Sequence, residues 1–506
     1  MHSENNSLVL LIIAFTSGMS IMAMEISASR LIAPYFGTSL FVWTNIIGVV
    51  LVALSIGYYV GGKFSDKHPN LNSLLWLLCS AGAMFSLVPW IAEPIANTIK
   101  MALFNYQAAS VLITLGSFLL VMLLFAFPII LLGMVSPYVI KLYAQSTQHL
   151  GEQAGTIFAV STIGSILGTF LPTLWLIPTI GTRWTILSFA LLLIAISGIG
   201  LYRNRTYVIT VTVVLILFVI NPFFQPAQAT SIYSTESAYQ YINVLEIQDQ
   251  RFLVFNEGLG IQSRYHPDEL FLGSYYDYFA PLPALFEKEE VSVGIIGLAG
   301  GTLSRALYGL YGDRVIIDGV EIDAKVIEIA RNHFDLDQPT LTVYNEDGKM
   351  FIERQENKYD ILVVDAYAQQ LYIPWTMTTK EFWEDSKDAM KESGILALNV
   401  NTTALDSPLF KTISNTIASV FDYTYAVPLP QEGAYNYIIL ASPNEIDFNA
   451  LQSTNLPYPV NELSEYLSAH WTAINYDPSI ELLTNDRAPI ELMTEKMILE
   501  HLISTL

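Results

Sequence analysis

Cysteine is nearly absent from this chain of 506 residues. The single one, Cys79, lies inside an apolar run, which excludes a disulfide framework and a thiolate metal site. Charge is scarce as well: Asp, Glu, Lys and Arg make up 14% of the residues, against 52% hydrophobic, far from a soluble average. Internal repeats and low-complexity tracts are also lacking, which removes solenoids and biased linkers from consideration.

The charge that exists is unevenly placed. Residues 1–230 carry 8 Lys and Arg and 5 Asp and Glu, whereas residues 231–506 carry 16 and 41. The first part is near +3 and the second near −25, which together give the overall −22. The charge-poor part holds apolar runs of roughly the 20 residues that cross a bilayer core. Seven are expected, at about 8–27, 41–59, 74–95, 108–132, 155–177, 185–201 and 207–220. The fourth reaches Pro128 and Pro137, where a kink is expected. A cleaved signal peptide does not fit the first run, because six more follow it. Residues 1–222 thus read as a transmembrane helical domain. The Pro/Gln/Ala stretch 221–230 reads as a linker to a second domain, 231–506.

Within the membrane part, Glu25 and Arg30 interrupt the first run. Ionisable groups at that depth are costly, so an interfacial ion pair is the plain reading and a substrate-related role the other. Gly48, Gly57, Gly61, Gly62, Gly164 and Gly168 are expected at close helix contacts. Residues 61–67 read as a short basic loop. Lys63, Lys67, Lys141, Arg203 and Arg205 fall after the second, fourth and sixth runs, and only Lys100 and Arg183 after the third and fifth. The positive-inside rule would place the second domain outside the cell. A domain that uses an adenosine compound belongs instead in the cytoplasm. The expectation is a multi-pass protein of the cell (inner) membrane with a cytoplasmic catalytic domain.

The second domain alternates apolar strands with amphipathic helices, the pattern of a mostly parallel, doubly wound sheet. Residues 239–256 alternate with period two and read as a β-hairpin in a small region, 231–285, ahead of a Rossmann-like, methyltransferase-type part, 286–506. The chemistry-bearing stretch is VGIIGLAGGTLSR, residues 293–305, followed by VEIDAKVIEIARNHF, residues 320–334. An apolar run ends in Gly297, Gly300 and Gly301 and enters a helical pattern. A second apolar run, 315–320, ends in Glu321, 24 positions after Gly297. Strand, glycine turn, helix, strand and acid in that order form the adenosine-binding half of a doubly wound fold. The glycines let the backbone approach the ligand, and the carboxylate accepts from both ribose hydroxyls. A third strand ends at Asn345-Glu346-Asp347-Gly348 and leads into a helix over 349–355, and a fourth ends in Asp365. Any one of these acids alone would read as a helix cap or turn residue. Four features at the carboxyl ends of four successive strands mark the rim where ligands of such sheets bind. Asp323, one turn further on, reads as a helix cap.

These residues resemble the spermidine synthase (polyamine aminopropyltransferase) family, and more narrowly its membrane-fused members. Thr235-Glu236-Ser237-Ala238-Tyr239-Gln240 is similar to the family's E-S-x-Y-Q element. Asn256-Glu257-Gly258 with Gln262-Ser263 is similar to its D-G-x-x-Q-S hairpin. Tyr275-Tyr276-Asp277 stands where the family has Y-H-E or Y-Q-E, and residues 484–491 resemble the tail of the fused members. The resemblance implies transfer of an aminopropyl group from decarboxylated S-adenosylmethionine to putrescine, giving spermidine and methylthioadenosine. It implies Gln240, Gly297, Gly300, Gly301, Glu321, Asp347 and Gly348 at the donor, with Asp347 on the adenine amino group. It implies Gln262, Tyr275, Tyr276, Asp277, Tyr367 and Gln369 at the acceptor, and Asp365 as the group that deprotonates the attacking amine. No metal is expected. Expected partners are a polyamine such as putrescine and the lipid bilayer, with no nucleic acid and with a homodimer as the assembly.

Two positions depart from the family pattern. Ala299 stands where the glycine turn usually carries an acid, and Asp365-Ala366-Tyr367-Ala368 keeps only the first aspartate of D-S-S-D. Candidates for the missing amine anchors are Glu257, Asp277, Gln369 and Gln370. Two other functions stay open on the sequence: a methyltransferase using intact S-adenosylmethionine, and a membrane transporter whose second domain senses polyamines without turnover.

Overall fold

The computed structural model describes residues 2–37, 40–104, 109–144, 149–220, 230–256, 260–367, 372–430, 436–452 and 456–504. The expected linker, except Thr230, lies outside the described residues. Two compact units form, one of Met1–Ala229 with Thr235–Tyr241, the other of Thr230–Ser234 with Ile242–Leu506.

The first unit is all-helical. Five helices rather than seven are long and apolar enough to cross a membrane: Ser7–Phe36, Leu40–Lys67, Leu71–Ala102, Thr114–Tyr143 and Leu150–Leu201. The fifth and sixth expected spans merge into that last stretch, because helical backbone resumes directly after Gly181, whose φ of +82° breaks it. The seventh, Arg205–Ile220, has only 16 residues, about 24 Å of helix against a core of about 30 Å. Residues 61–67, read as a loop, are the last turns of a helix, since nothing in them breaks helical backbone before His68. The kink expected near Pro128 is a π-helical turn, Met122–Ala126, directly before the proline-bearing helix Phe127–Gly133. The wider turn there accommodates the helical hydrogen bond that proline, with no N–H, cannot make.

Four of the six singled-out glycines do sit at close helix contacts. A Cβ on Gly57 would meet the Ile130 carbonyl at 2.5 Å, on Gly61 the Met134 backbone at 2.5 Å, on Gly164 the Phe15 carbonyl at 2.1 Å and on Gly168 the Met19 carbonyl at 2.0 Å. Gly48 and Gly62 face open space instead. Large apolar side chains such as Leu51, Val52, Leu123, Phe158, Phe170, Leu174 and Trp175 are exposed, as a surface solvated by lipid tails allows. No ion pair joins Glu25 and Arg30 among the described residues. Arg30 instead donates to the Ala238 carbonyl. This unit makes the chain a membrane protein.

The second unit holds two sheets. The smaller has four strands in order: β1 (Ser231–Glu236), β2 (Tyr241–Ile247), β3 (Gln250–Phe255) and β4 (Ile261–Tyr265). The expected hairpin is its β2–β3 pair. The larger sheet comprises β5 (Val291–Ile296), β6 (Val315–Val320), β7 (Leu341–Tyr344), β8 (Tyr359–Val364), β9 (Met390–Asn401), β10 (Tyr423–Pro428), β11 (Asn436–Ser442) and β12 (Thr472–Ala473). Their spatial order is β12-β10-β11-β9-β8-β5-β6-β7. The five from β7 to β9 run parallel and β11, β10 and β12 join antiparallel.

Parallel strands need both faces covered, and the side chains divide accordingly. Val291, Val293, Ile295, Ile361 and Val363 belong to one buried core, and Ile296, Tyr359, Leu362 and Val364 to the other. Alternate residues of one strand therefore point into opposite layers. A third core joins Ile242, Val244, Leu253 and Phe255 of the small sheet to Val326, Ile329 and Phe334 of the helix Ala324–His333 and its end. The chain leaves β5 to build β6 and β7 on one side, then returns to lay β8 and β9 on the other. Strand direction of growth reverses between β5 and β8, and a crevice opens at their carboxyl ends.

Candidate active site

At that crevice the backbone itself makes the first contact. The Asp365 N–H donates to the Ile296 carbonyl at 2.8 Å, tying the end of β8 to the end of β5. Gly297 follows with φ +91°, and a Cβ there would lie 2.4 Å from the Asp365 carbonyl oxygen. Only glycine fits both the angle and the space. The N–H groups of Gly297 and Leu298 both donate to the Val320 carbonyl at 3.0 Å, which pulls the turn over the end of β6. Ala299 has φ +48° and Gly301 φ +76°, and the helix Thr302–Tyr311 starts from there. Gly300 donates its N–H to the Ser263 hydroxyl at 2.8 Å, fastening the turn to β4.

Glu321, at the end of β6, is buried with 8% of its surface exposed. One carboxylate oxygen accepts the Ala299 N–H and the other the Asp323 N–H, each at 3.0 Å. Burial pushes the carboxyl up to about 7, while those N–H groups pull it down. A carboxylate has about four lone-pair positions, so two backbone bonds fix its plane and leave acceptor capacity for hydroxyl groups. Asn345 donates to the Glu321 and Ile322 carbonyls at 2.9 Å and holds this strand end to the next. Asp323 is the helix cap that its position suggests, accepting from the Lys325 N–H at 2.9 Å. Asp347 is partly exposed and accepts the Met350 N–H at 3.1 Å as the cap of Gly348–Ile352. That helix is shorter than the sequence suggests. Gly348 packs so tightly that a Cβ would meet Ile296 at 2.4 Å.

The fourth strand end carries the polar cluster. Tyr275 donates its hydroxyl hydrogen to one Asp365 oxygen at 2.9 Å, and the Asn399 side-chain N–H approaches the other at 3.5 Å. Burial pushes the Asp365 carboxyl up to about 6, against the pull of both donors. Burial, and then the Asp365 charge, raise Tyr275 well above its ordinary value. Tyr275 is therefore a neutral donor at any working pH. Tyr367 donates to the Asn399 carbonyl at 2.9 Å and accepts the Asn401 N–H at 3.2 Å, bracing the end of β9.

Gln240 belongs to the segment Thr235–Tyr241, which groups with the helical unit. Asp277 is turned into its own loop: one oxygen accepts the N–H groups of Leu272, Gly273 and Ser274 at 3.1, 2.8 and 3.0 Å. A carboxylate three residues after a serine finds that capping geometry ready-made. Tyr276 is buried in the core, edge-on to Tyr275 at 5.0 Å. Gln262 lies on β4 beside Ser263, partly buried. Gln369, with Glu257, Gly258, Ala368 and Gln370, lies outside the described residues. Among the described residues, no group of His, Cys, Asp and Glu could hold a metal ion.

The roles of three functional-looking residues escaped the sequence reading. Asn399 had a visible signal, a lone amide inside the apolar run of β9. Ser263 and Asn345 were legible as members of the Gln262-Ser263 and Asn345–Gly348 motifs, but not in the bracing roles they play.

Comparison with known proteins decides the family. Residues 273–450 match the spermine/spermidine synthase domain. The chain is 33% identical over 287 residues to a polyamine aminopropyltransferase of Vibrio vulnificus, covering 53% of this chain and 93% of that one. The chain belongs to the polyamine aminopropyltransferase family. A probable polyamine aminopropyl transferase of Bifidobacterium longum is 28% identical over 278 residues, 52% of this chain and 61% of its own length. The spermidine synthase structure of Thermotoga maritima superposes with a TM-score of 0.39 at 23% identity, over 47% of this chain and 84% of that one. The aminopropyltransferase domain match takes in Tyr275, the glycine turn, Glu321, Asp347, Asp365 and Asn399. The family's acid in the glycine turn is Ala299 here, and its backbone N–H is engaged by Glu321.

Proposed function

We propose that this protein transfers an aminopropyl group from decarboxylated S-adenosylmethionine to putrescine, releasing spermidine and methylthioadenosine. The observation that carries this reading is the Tyr275–Asp365 pair at the β5/β8 crevice, next to a glycine turn and a buried ribose-type carboxylate. Glu321 would accept from the donor's ribose hydroxyls, the glycine turn would pass under its sulfonium end, and Asp347 would complete the adenosyl site. The donor's cytosolic origin favours a cytoplasmic catalytic domain.

An alkylammonium has a pKa near 10 and no lone pair to attack with. Asp365, partly buried and held up to about 6 by burial, removes one proton. The gap of about four units corresponds to roughly 5 kcal/mol, and the adjacent sulfonium narrows it by disfavouring a second positive charge. The freed nitrogen attacks the methylene next to sulfur. The C–S electron pair leaves with the neutral thioether, the product departs as a secondary ammonium, and Asp365 returns the proton it took to solvent. Catalysis is then alignment of an in-line displacement plus one general base.

The test is product analysis on the full chain in detergent. Methylthioadenosine and spermidine from the decarboxylated donor and putrescine support the reading. Ala299 in place of an acid favours a second reading, methyl transfer, which would give S-adenosylhomocysteine from intact S-adenosylmethionine. Neither product from either donor would leave the sensing transporter.

A further inference from the structure

Asn399 lies at the end of β9, one position past the Val364–Leu398 pair, which sets it beside Asp365. It has no exposed surface. An ionised carboxylate only accepts, so the side-chain NH₂ faces Asp365, and Oδ1 is turned away from it. That oxygen is buried and has no hydrogen-bond partner. Orphaned buried acceptors are rare and costly in finished structures. One beside a proposed general base marks a place where a donor arrives.

Resting on the aminopropyl-transfer reading above, we propose that Asn399 is a second anchor of the acceptor amine, its Oδ1 accepting a hydrogen bond from the attacking nitrogen. The chemistry requires such a group. An ammonium that has lost one proton keeps two N–H bonds and one lone pair, and the lone pair must point at the donor methylene. Fixing that direction takes two acceptors. Asp365 supplies one. Asn399 Oδ1, buried and without a hydrogen-bond partner, supplies the other, while its NH₂ steadies the base. The 3.5 Å separation from Asp365 leaves the amide room to close on a bound amine, as catalytic hydrogen bonds do on binding.

The experiment uses the full chain in detergent with Asn399→Leu, which matches the shape and removes both polar ends. Methylthioadenosine affinity should stay within about twofold of wild type. The putrescine KM should rise and kcat should fall, each by roughly tenfold or more, the loss typical of one buried hydrogen bond to a charged or reacting group. Binding of putrescine to the methylthioadenosine complex, measured by calorimetry, should weaken in parallel. A kcat/KM for putrescine within about threefold of wild type, with methylthioadenosine still bound, overturns the proposal. Should the leucine variant lose methylthioadenosine, and so its fold, Asn399→Asp decides. A second carboxylate beside Asp365 raises the latter's pKa, so the acid limb of the rate should move up by about half a unit or more; an unmoved limb overturns the proposal. Wild-type protein that yields no methylthioadenosine with any diamine would fell the functional reading and this inference together. An active wild type with unaffected variants would fell this inference alone.

Discussion

Glu321→Gln is the sharpest perturbation of the donor site, because the geometry sets its size. Both carboxylate oxygens already accept a backbone N–H, from Ala299 and Asp323, at 3.0 Å each. An amide can present its oxygen to only one of them, and its NH₂ then meets the other donor head-on. The ribose hydroxyls at the same time lose charge-assisted bonds worth about 1.5–3 kcal/mol in exchange for neutral ones worth about 0.5–1.5. Adding one frustrated backbone donor gives a net loss of roughly 1.5–3 kcal/mol, or about tenfold to a hundredfold in methylthioadenosine affinity. Stability of the free protein is a poor readout. The folded-state carboxyl is held up to about 7 against an ordinary 4.5, so its ionisation weakens the fold as pH rises through that window, and removing the charge relieves this. Affinity is the better measure, and its pH dependence is diagnostic. Wild-type affinity for methylthioadenosine should fall as pH drops below about 7 and Glu321 takes up a proton, whereas the glutamine variant should show no such limb. Calorimetry at pH 6 and pH 8 on both proteins tests this. A variant that binds within about threefold of wild type at pH 8 would refute the assignment of Glu321 to the ribose.

Asp365→Asn keeps the shape of the site and removes the proton acceptor, so turnover should drop by roughly 10²–10⁴ while methylthioadenosine still binds; near-normal turnover would move the base elsewhere. In the wild type, kcat/KM for putrescine should climb with pH through about 6, the value to which burial holds this carboxyl. Tyr275→Phe removes a hydroxyl that stabilises the ionised form, so that limb should shift to higher pH with a modest loss of rate; an unshifted limb would mean the 2.9 Å contact is not kept in solution. Gly297→Ala forces a Cβ to 2.4 Å from a carbonyl oxygen at φ +91°, and thermal unfolding should register a loss of at least about 2 kcal/mol.

The sequence by itself determined the division into a charge-poor helical part and an acidic α/β part. It also determined the order strand, glycine turn, helix, strand and acid. Both are local facts. A bilayer span needs a long apolar run whatever surrounds it, and Gly297 must be glycine because its own φ demands it. Asp323 was legible as a cap for the same reason, since capping is decided within three residues. Where two chemistries compete for one side chain, only the tertiary structure decided. Asp277 looks on paper like an acid of the acceptor site, and one of its oxygens is taken up by three N–H groups of its own loop. Gly48 and Gly62 have the composition of helix contacts and face outward, because which side of a helix meets a neighbour depends on packing that no single run encodes. The two apolar runs on either side of Gly181 read as separate spans because residues 178–184 look like a loop, yet the backbone stays helical through most of them. Asn399 shows the same limit from the other direction. Its presence in an apolar strand was readable, but its meeting with Asp365 required β8 and β9 to pair in one parallel register, and a shift of one residue would have turned it to the opposite face of the sheet.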